Sequence, residues 1–271
     1  MPETDVALLT DAARHAGEIA KKYFQNDPSV TDKPGGAGPV TEADLAVNAM
    51  LESSLRLERT DYGWLSEETE DNAARLKTKR QFVIDPIDGT RAFINHSKDW
   101  AHALAVVEDG VVISAVVYLP MHDLMFAATK GGGATVNDVP IKVTQAGLEG
   151  ATVLGAKPNF DARFWKDGIV PDVERVFRSS LAYRLCLVAQ GRFDGMLTLR
   201  PSWEWDIAAG ALIIEEAGGT VSDQHGAPLK FNNSHPQVPG VLAAGQTLHA
   251  ALAARLEQQP ANTYSVRNNQ N

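Results

Sequence analysis

Phe82-Val83-Ile84-Asp85-Pro86-Ile87-Asp88-Gly89-Thr90-Arg91-Ala92-Phe93 is the stretch that decides how this chain reads. Three apolar residues predict a short buried strand, and it runs straight into a turn carrying two aspartates three apart. Pro86 fixes one torsion and Gly89 permits tight turning, so both carboxylates and the Ile87 carbonyl can converge on one point. That point offers oxygen ligands and no nitrogen. Gly89 and Thr90 then open a short helix over Arg91–Asn95, where free N–H groups and the dipole favour an anion. A metal cluster beside a phosphate cradle is what hydrolysis of a phosphate monoester requires.

Downstream, residues 101–107 and 111–119 read as a hairpin joined at Glu108-Asp109-Gly110, with Met125–Thr129 as a third strand of an antiparallel meander. Upstream, Val6, Leu9, Ala13, Ala16 and Ala20 mark a helical stripe. A Pro/Gly-rich loop around Lys33–Pro39 follows, and Thr41-Glu42-Ala43-Asp44 opens a second helix with Leu45, Met50 and Leu55 on its apolar face. Tyr62–Leu65 reads as a strand. Beyond Thr144, strands are expected at Val153–Ala156, Gly195–Leu199, Thr220–Ser222 and Val241–Ala243. Helices are expected at Leu181–Gln190, Ile207–Ala217 and Thr247–Leu256, with a frayed polar tail after Gln259. Strands and helices are segregated, which predicts an α+β layered sandwich. Two lobes are expected: 1–143 with the metal-binding loops and antiparallel sheet, and 144–271 contributing Asp206 and the substrate rim.

The 271 residues are 44% hydrophobic and 22% charged, which excludes a disordered, collagen-like or coiled-coil chain. No run approaches the roughly 20 apolar residues of a membrane span. The acidic opening Met1–Asp5 is unlike a secretory signal, and the single Cys186 excludes an intramolecular disulfide and a multi-cysteine zinc site. The expected address is the cytoplasm. A net charge of −9 repels a nucleic-acid backbone and, without cations, a phosphorylated substrate as well. The seven histidines show no close His-x₃-His pair, so carboxylates would hold any metal, which favours Mg²⁺.

Further acids extend the constellation, and each also fits an ordinary role. Asp85 and Asp88 could be turn formers and helix caps. Glu67, in Ser66-Glu67-Glu68-Thr69, could lean into the same cleft or be an exposed loop charge. Asp206 could be a ligand or the N-cap of its helix, and Asp44 could simply close a capping box with Thr41.

Val40-Thr41-Glu42-Ala43-Asp44, Ser66-Glu67-Glu68, Asp85-Pro86-Ile87-Asp88-Gly89-Thr90 and Trp205-Asp206-Ile207-Ala208-Ala209-Gly210 come in an order that resembles the inositol monophosphatase superfamily. These are Mg²⁺-dependent, lithium-sensitive phosphatases. The likeness runs from about residue 5 to 256; Ser66 departs from it, since Gly usually precedes the Glu pair. The resemblance implies an αβαβα sandwich of the inositol monophosphatase/fructose-1,6-bisphosphatase type and a homodimer. It implies two or three Mg²⁺: Glu67, Asp85 and the Ile87 carbonyl at the first, Asp85, Asp88 and Asp206 at the second, a weaker third near Glu67. Asp44 and Thr90 would orient and deprotonate the attacking water, and the Gly89 and Thr90 amides would cradle phosphate. Five such carboxylates in one cleft are untenable without cations.

For the substrate, Trp203-Glu204-Trp205-Asp206 resembles the Glu-Trp-Asp form of bisphosphate nucleotidases, and Ser179–Ala189 looks like their corresponding stretch. Arg91, Ser180, Arg184 and Arg200 are then expected at the rim, with Arg184 and Arg200 open to the alternative of surface charge. The favoured substrate is 3'-phosphoadenosine 5'-phosphate. The alternatives are inositol 1-phosphate, histidinol phosphate, and a regulatory protein that binds a phosphometabolite without hydrolysing it.

Overall fold

The computed structural model describes residues 3–36 and 38–257. The first elements are α1 (Asp5–Phe24), β1 (Val30–Asp32), β2 (Pro39–Thr41), α2 (Glu42–Glu58), β3 (Gly63–Ser66), β4 (Arg80–Asp88) and α3 (Thr90–Ile94). A meander follows: β5 (Ala101–Glu108), β6 (Val111–Leu119), β7 (Leu124–Thr129), β8 (Gly133–Val136) and β9 (Val139–Pro140). The remainder comprises β10 (Thr152–Leu154), β11 (Glu174–Val176), α4 (Leu181–Ala189), β12 (Gly195–Thr198), β13 (Ser202–Trp203) and α5 (Glu204–Glu216). It closes with β14 (Thr220–Ser222), β15 (Gln237–Val238), β16 (Val241–Ala244) and α6 (Gln246–Ala253). The tail after Gln259 lies outside the described residues.

Strands β3 to β9 form one seven-stranded sheet in sequence order. It is antiparallel from β4 onward, but β3 and β4 run parallel, which the meander reading did not include. Period-two alternation builds its two faces. Phe82, Ile84, Leu104 and Val106 pack under α1 and α2. Val83, Ala103, Ala105 and Val107 face α4 and α5. The other side of α4 and α5 meets Leu154, Met196 and Ala243 of a five-stranded sheet ordered β11-β10-β12-β16-β14. Leu197 and Leu242 of that sheet pack on Leu248 and Leu252 of α6. The result is the expected layering of helix, sheet, helix, sheet and helix.

The middle layer is tight because its residues are small. A Cβ on Gly210 of α5 would lie 2.5 Å from Leu185 Cδ1 of α4, so the close approach of the two helices there depends on a residue without a side chain. Two sequence expectations need correction. Leu45 is exposed; α2 buries Ala43, Val47, Leu51 and Leu55 together with Asp44 and Asn48, one to two residues round from the expected face. The strand at Phe82 does not end in a turn at Asp85 but continues to Asp88. Its pairing steps from Asp85↔Ala103 to Asp88↔Ala101, so β4 carries one residue more than β5. A proline, having no N–H for the ladder, is accommodated at such a bulge, which re-aims the residues around it.

Candidate active site

The bulge at Pro86 is held from the neighbouring strand. His102 of β5, fully buried, bonds the Pro86 carbonyl through Nδ1. Burial lowers its pKa to about 4, so the ring is neutral and Nδ1 acts as the donor. Above this support the strand delivers Asp85 and Asp88, and Gly89 (φ 99°) turns the chain into α3. That left-handed torsion favours glycine.

Asp88 Oδ2 accepts the Ser180 hydroxyl and the Ala182 N–H, each at 2.6 Å. Ser180 is the N-cap of α4, accepting Tyr183 N–H at 2.9 Å, and is 0% exposed. It therefore positions Asp88 from beneath rather than meeting a substrate at the rim, which corrects the expected role. Burial pushes the Asp88 carboxyl up to about 6, while the Ser180 and Ala182 bonds and the nearby Arg184 charge pull it back.

Asp44 both closes a capping box and joins the site. Its Oδ2 accepts Thr41 N–H at 2.9 Å and the Thr41 hydroxyl at 2.5 Å. The Thr90 hydroxyl can donate to Asp44 Oδ1 at 3.3 Å or to the Ile87 carbonyl at 3.2 Å. Burial raises the Asp44 carboxyl to about 6. Asp206 is not the N-cap of α5; Trp203 holds that position and Asp206 lies in the first turn.

Glu67, Asp85 and Asp206 come from β3's end, β4 and α5, yet one carboxylate oxygen of each lies within 4.8 Å of the others. Burial drives Asp85 well above the ordinary carboxylate value, and Glu67, Asp88 and Asp206 push it further. Asp206 is raised in the same way, by burial and then by Asp88 and Glu67. Among the described residues, Asp85 Oδ1 is buried without a hydrogen-bond partner. A crowded set of hard oxygen donors, one of them unsatisfied, fits a divalent cation such as Mg²⁺.

A cleft of about 770 Å³ has Glu67, Asp85, Asp88, Gly89, Thr90 and Asp206 in its lining. Of the expected rim residues, Arg91, Arg184 and Arg200 also line it, Arg91 and Arg200 being exposed. Arg184 is no surface arginine. It is 6% exposed, donates to the Arg178 and Ser179 carbonyls at 2.5 and 3.3 Å, and stacks on Phe177. Ile87 and Asp44 are fully buried and reach the site through Thr90. Glu204, read as a mark of substrate preference, is 0% exposed and is absent from the lining.

Sequence reasoning missed several participants. Lys33, taken only as part of a loop, donates to Glu67 and Glu68 at 2.7 Å each. The adjacent pair Glu67-Glu68 was the available signal, since two neighbouring carboxylates call for a cation. Asn159, Arg163 and Phe164 line the cleft from 3₁₀ turns of three or four residues and Phe177 from just beyond β11, segments too short to show a periodicity. Trp203, stacked on Trp205 at 4.7 Å, lines it as well.

A five-layered α+β chain with a carboxylate cluster along a cleft defines a class of hard-cation-binding protein. The inositol monophosphatase family model matches residues 1–261. Nus factor SuhB of Salmonella typhimurium is 34% identical over 265 residues, covering 94% of this chain and 96% of its own. Inositol-1-monophosphatase of Rhizobium meliloti is 32% identical, covering 92% of this chain and 93% of the relative. The crystal structure of extragenic suppressor protein suhB from Bartonella henselae superposes with a TM-score of 0.78 at 26% identity, over 92% of this chain and 96% of that one. IMPase of Thermotoga maritima gives 0.76 at 28%, over 90% and 93%. The chain belongs to the inositol monophosphatase family. Among the described residues, no helix is long and apolar enough to cross a membrane.

Proposed function

We propose that this protein is a Mg²⁺-dependent phosphomonoesterase acting on a small phosphorylated metabolite by direct attack of water. The observation that carries this reading is the meeting of Glu67, Asp85 and Asp206 within 4.8 Å beside a cleft that also holds arginines. Glu67, Asp85, Asp88 and Asp206, with the Ile87 carbonyl, would hold two or three cations. Bound Mg²⁺ supplies a Lewis acid for phosphate oxygens, a water of lowered pKa and stabilisation of the leaving alkoxide. Asp44 and Thr90 would orient the attacking water, the Thr90 hydroxyl accepting its proton as it passes its own to Asp44 Oδ1. Gly89 and Thr90, at the start of α3, offer N–H groups to the phosphate.

For the substrate, the relatives' names support inositol 1-phosphate or a similar monoester better than 3'-phosphoadenosine 5'-phosphate. The bisphosphate reading retains one observation of its own. Arg91, Arg163, Arg184 and Arg200 share the cleft with Phe177 and Trp203, more cationic and aromatic surface than a single phosphate on a cyclitol uses. A binding role without catalysis gains little support, because Glu67, Asp85 and Asp206 meet in the cleft that Asp88 also lines. The net charge of −9 also disfavours nucleic acid as the partner.

The test is Mg²⁺-dependent phosphate release from inositol 1-phosphate, 3'-phosphoadenosine 5'-phosphate, histidinol phosphate and fructose 1,6-bisphosphate, each with and without Li⁺. Release from one or more supports the phosphatase, and the strongest kcat/KM names the class. Bound cation with no turnover of any ester would overturn the catalytic reading in favour of a binder.

A further inference from the structure

We propose that Glu204, braced by Arg75, is a positioning residue that sets the separation of Asp206 from Glu67 and thereby the cation affinity of the acid cluster. The proposal rests on the reading of that cluster as a cation site.

Asp206 lies in the first turn of α5, and the N-cap residue Trp203 makes no side-chain capping bond. An uncapped first turn leaves backbone donors to be satisfied elsewhere and is prone to fray. Here the turn is tied by Glu204. Its backbone N–H donates to the Pro236 carbonyl at 2.9 Å. Its carboxylate accepts Asn232 N–H at 2.7 Å, Asn233 N–H at 2.9 Å and Asn233 Nδ2 at 2.7 Å.

The 232–233 segment is braced in turn. Arg75, 3% exposed, donates from Nη1 to Asn232 Oδ1 at 2.6 Å and from Nη2 to the Asn233 carbonyl at 2.9 Å. The rest of its guanidinium forks onto Asp71 at 2.6 and 2.9 Å. Asp71 lies four residues beyond Glu67. Hydrogen bonds therefore run from the segment after Glu67, through Arg75 and Asn233, to the helix that carries Asp206.

None of these side chains lines the cleft, so any influence on the site passes through geometry. Burying Glu204 and Arg75 is a poor way to gain stability, because apolar packing usually does as well. Directional bonds do supply what packing does not, a fixed distance between two segments far apart in sequence. Supporting bonds around metal ligands typically govern affinity in this way.

The test measures Tb³⁺ binding by tryptophan-sensitised luminescence, with Mg²⁺ as competitor, alongside thermal unfolding. In Glu204→Gln the amide oxygen can keep the two Asn233 donors only by setting its N–H₂ against the Asn232 N–H, or keep Asn232 by setting it against Asn233. The expected result is Tb³⁺ affinity weakened by about tenfold at a temperature well below Tm, with Mg²⁺ weakened in step. Asp71→Asn loosens the Arg75 fork at the partly exposed end of the network and should fold normally. It is expected to weaken Tb³⁺ by more than twofold but by less than the roughly tenfold of Glu204→Gln, because Arg75 keeps its bonds to Asn232 and Asn233. A lowered Tm with Tb³⁺ affinity within twofold of wild type, in both variants, would overturn the proposal and leave the network purely structural. Wild-type protein that binds neither Tb³⁺ nor Mg²⁺ would instead overturn the cation-site reading itself.

Discussion

Three acids of the site and three of the cleft's arginines are held on opposite plans, with Arg184, itself buried, as the exception among the arginines. Asp44, Asp85 and Asp88 are buried on α2 and β4, and hydrogen bonds from Thr41, Thr90, Ser180 and Ala182 fix Asp44 and Asp88. Arg91, Arg163 and Arg200 are exposed, and Phe177 is 49% exposed. Charges held rigidly away from water interact strongly, whereas exposed charges are screened and contribute about 0–1 kcal/mol each. If the cleft works as proposed, the acids would specify the chemistry and tolerate little change, while the exposed arginines would select the ester and could vary.

That contrast sets an order of expected effects. Asp88→Asn should lower kcat by about three orders of magnitude, roughly 4 kcal/mol, while circular dichroism reports an intact fold. Near wild-type turnover at saturating Mg²⁺ would show that Asp88 is not part of the cation site. Removing the cation is the next largest effect. Relative to protein in EDTA, Mg²⁺ at a hundred times its dissociation constant should add about 2.7 kcal/mol, raising Tm by roughly 5–10 °C. A Tm indifferent to Mg²⁺ would mean that the carboxylates are reconciled by some other means, Lys33 being the first suspect.

His102 carries the contrast below the acids. Its pKa is lowered to about 4 by burial, against an ordinary value of 6.5. Between these values the unfolded chain binds a proton that the folded chain does not. Stability from this residue is therefore present above pH 6.5 and lost as pH falls toward 4. His102→Asn can keep a donor to Pro86 without a titrating ring. The stability difference between wild type and variant, followed by denaturant titration, should shift against wild type across that window. A difference constant with pH would show that the ring is not held neutral.

The smallest effect belongs to the rim. Arg200→Ala should raise KM by about fivefold, the scale of one exposed charge contact, with kcat nearly unchanged. A fall in kcat of more than tenfold would move Arg200 from substrate selection into the chemistry and blur the contrast.

Much of the acid side was legible in the sequence because its parts are local. Asp85 and Asp88 share a bulged strand, Gly89 and Thr90 follow at once, and Thr41 and Asp44 form one capping box. What escaped were contacts across long separations. Lys33 meets Glu67 34 residues away, and Arg75 meets Asn232 157 residues away. No spacing rule reaches across such distances. Ser180 also escaped, since an N-cap and a rim residue look alike until burial is known.

By itself, then, the sequence determined the alternating apolar strands, the helical stripes and the residue types of a hard-cation site. These follow from backbone periodicity and local stereochemistry, which act over a few residues. Only the tertiary structure decided that Glu67, Asp85 and Asp206 lie within 4.8 Å, that Glu204 faces the interior and that Arg184 is sequestered against Phe177. Those outcomes depend on how the layers stack, because burial and carboxylate crowding arise only between segments that packing brings together.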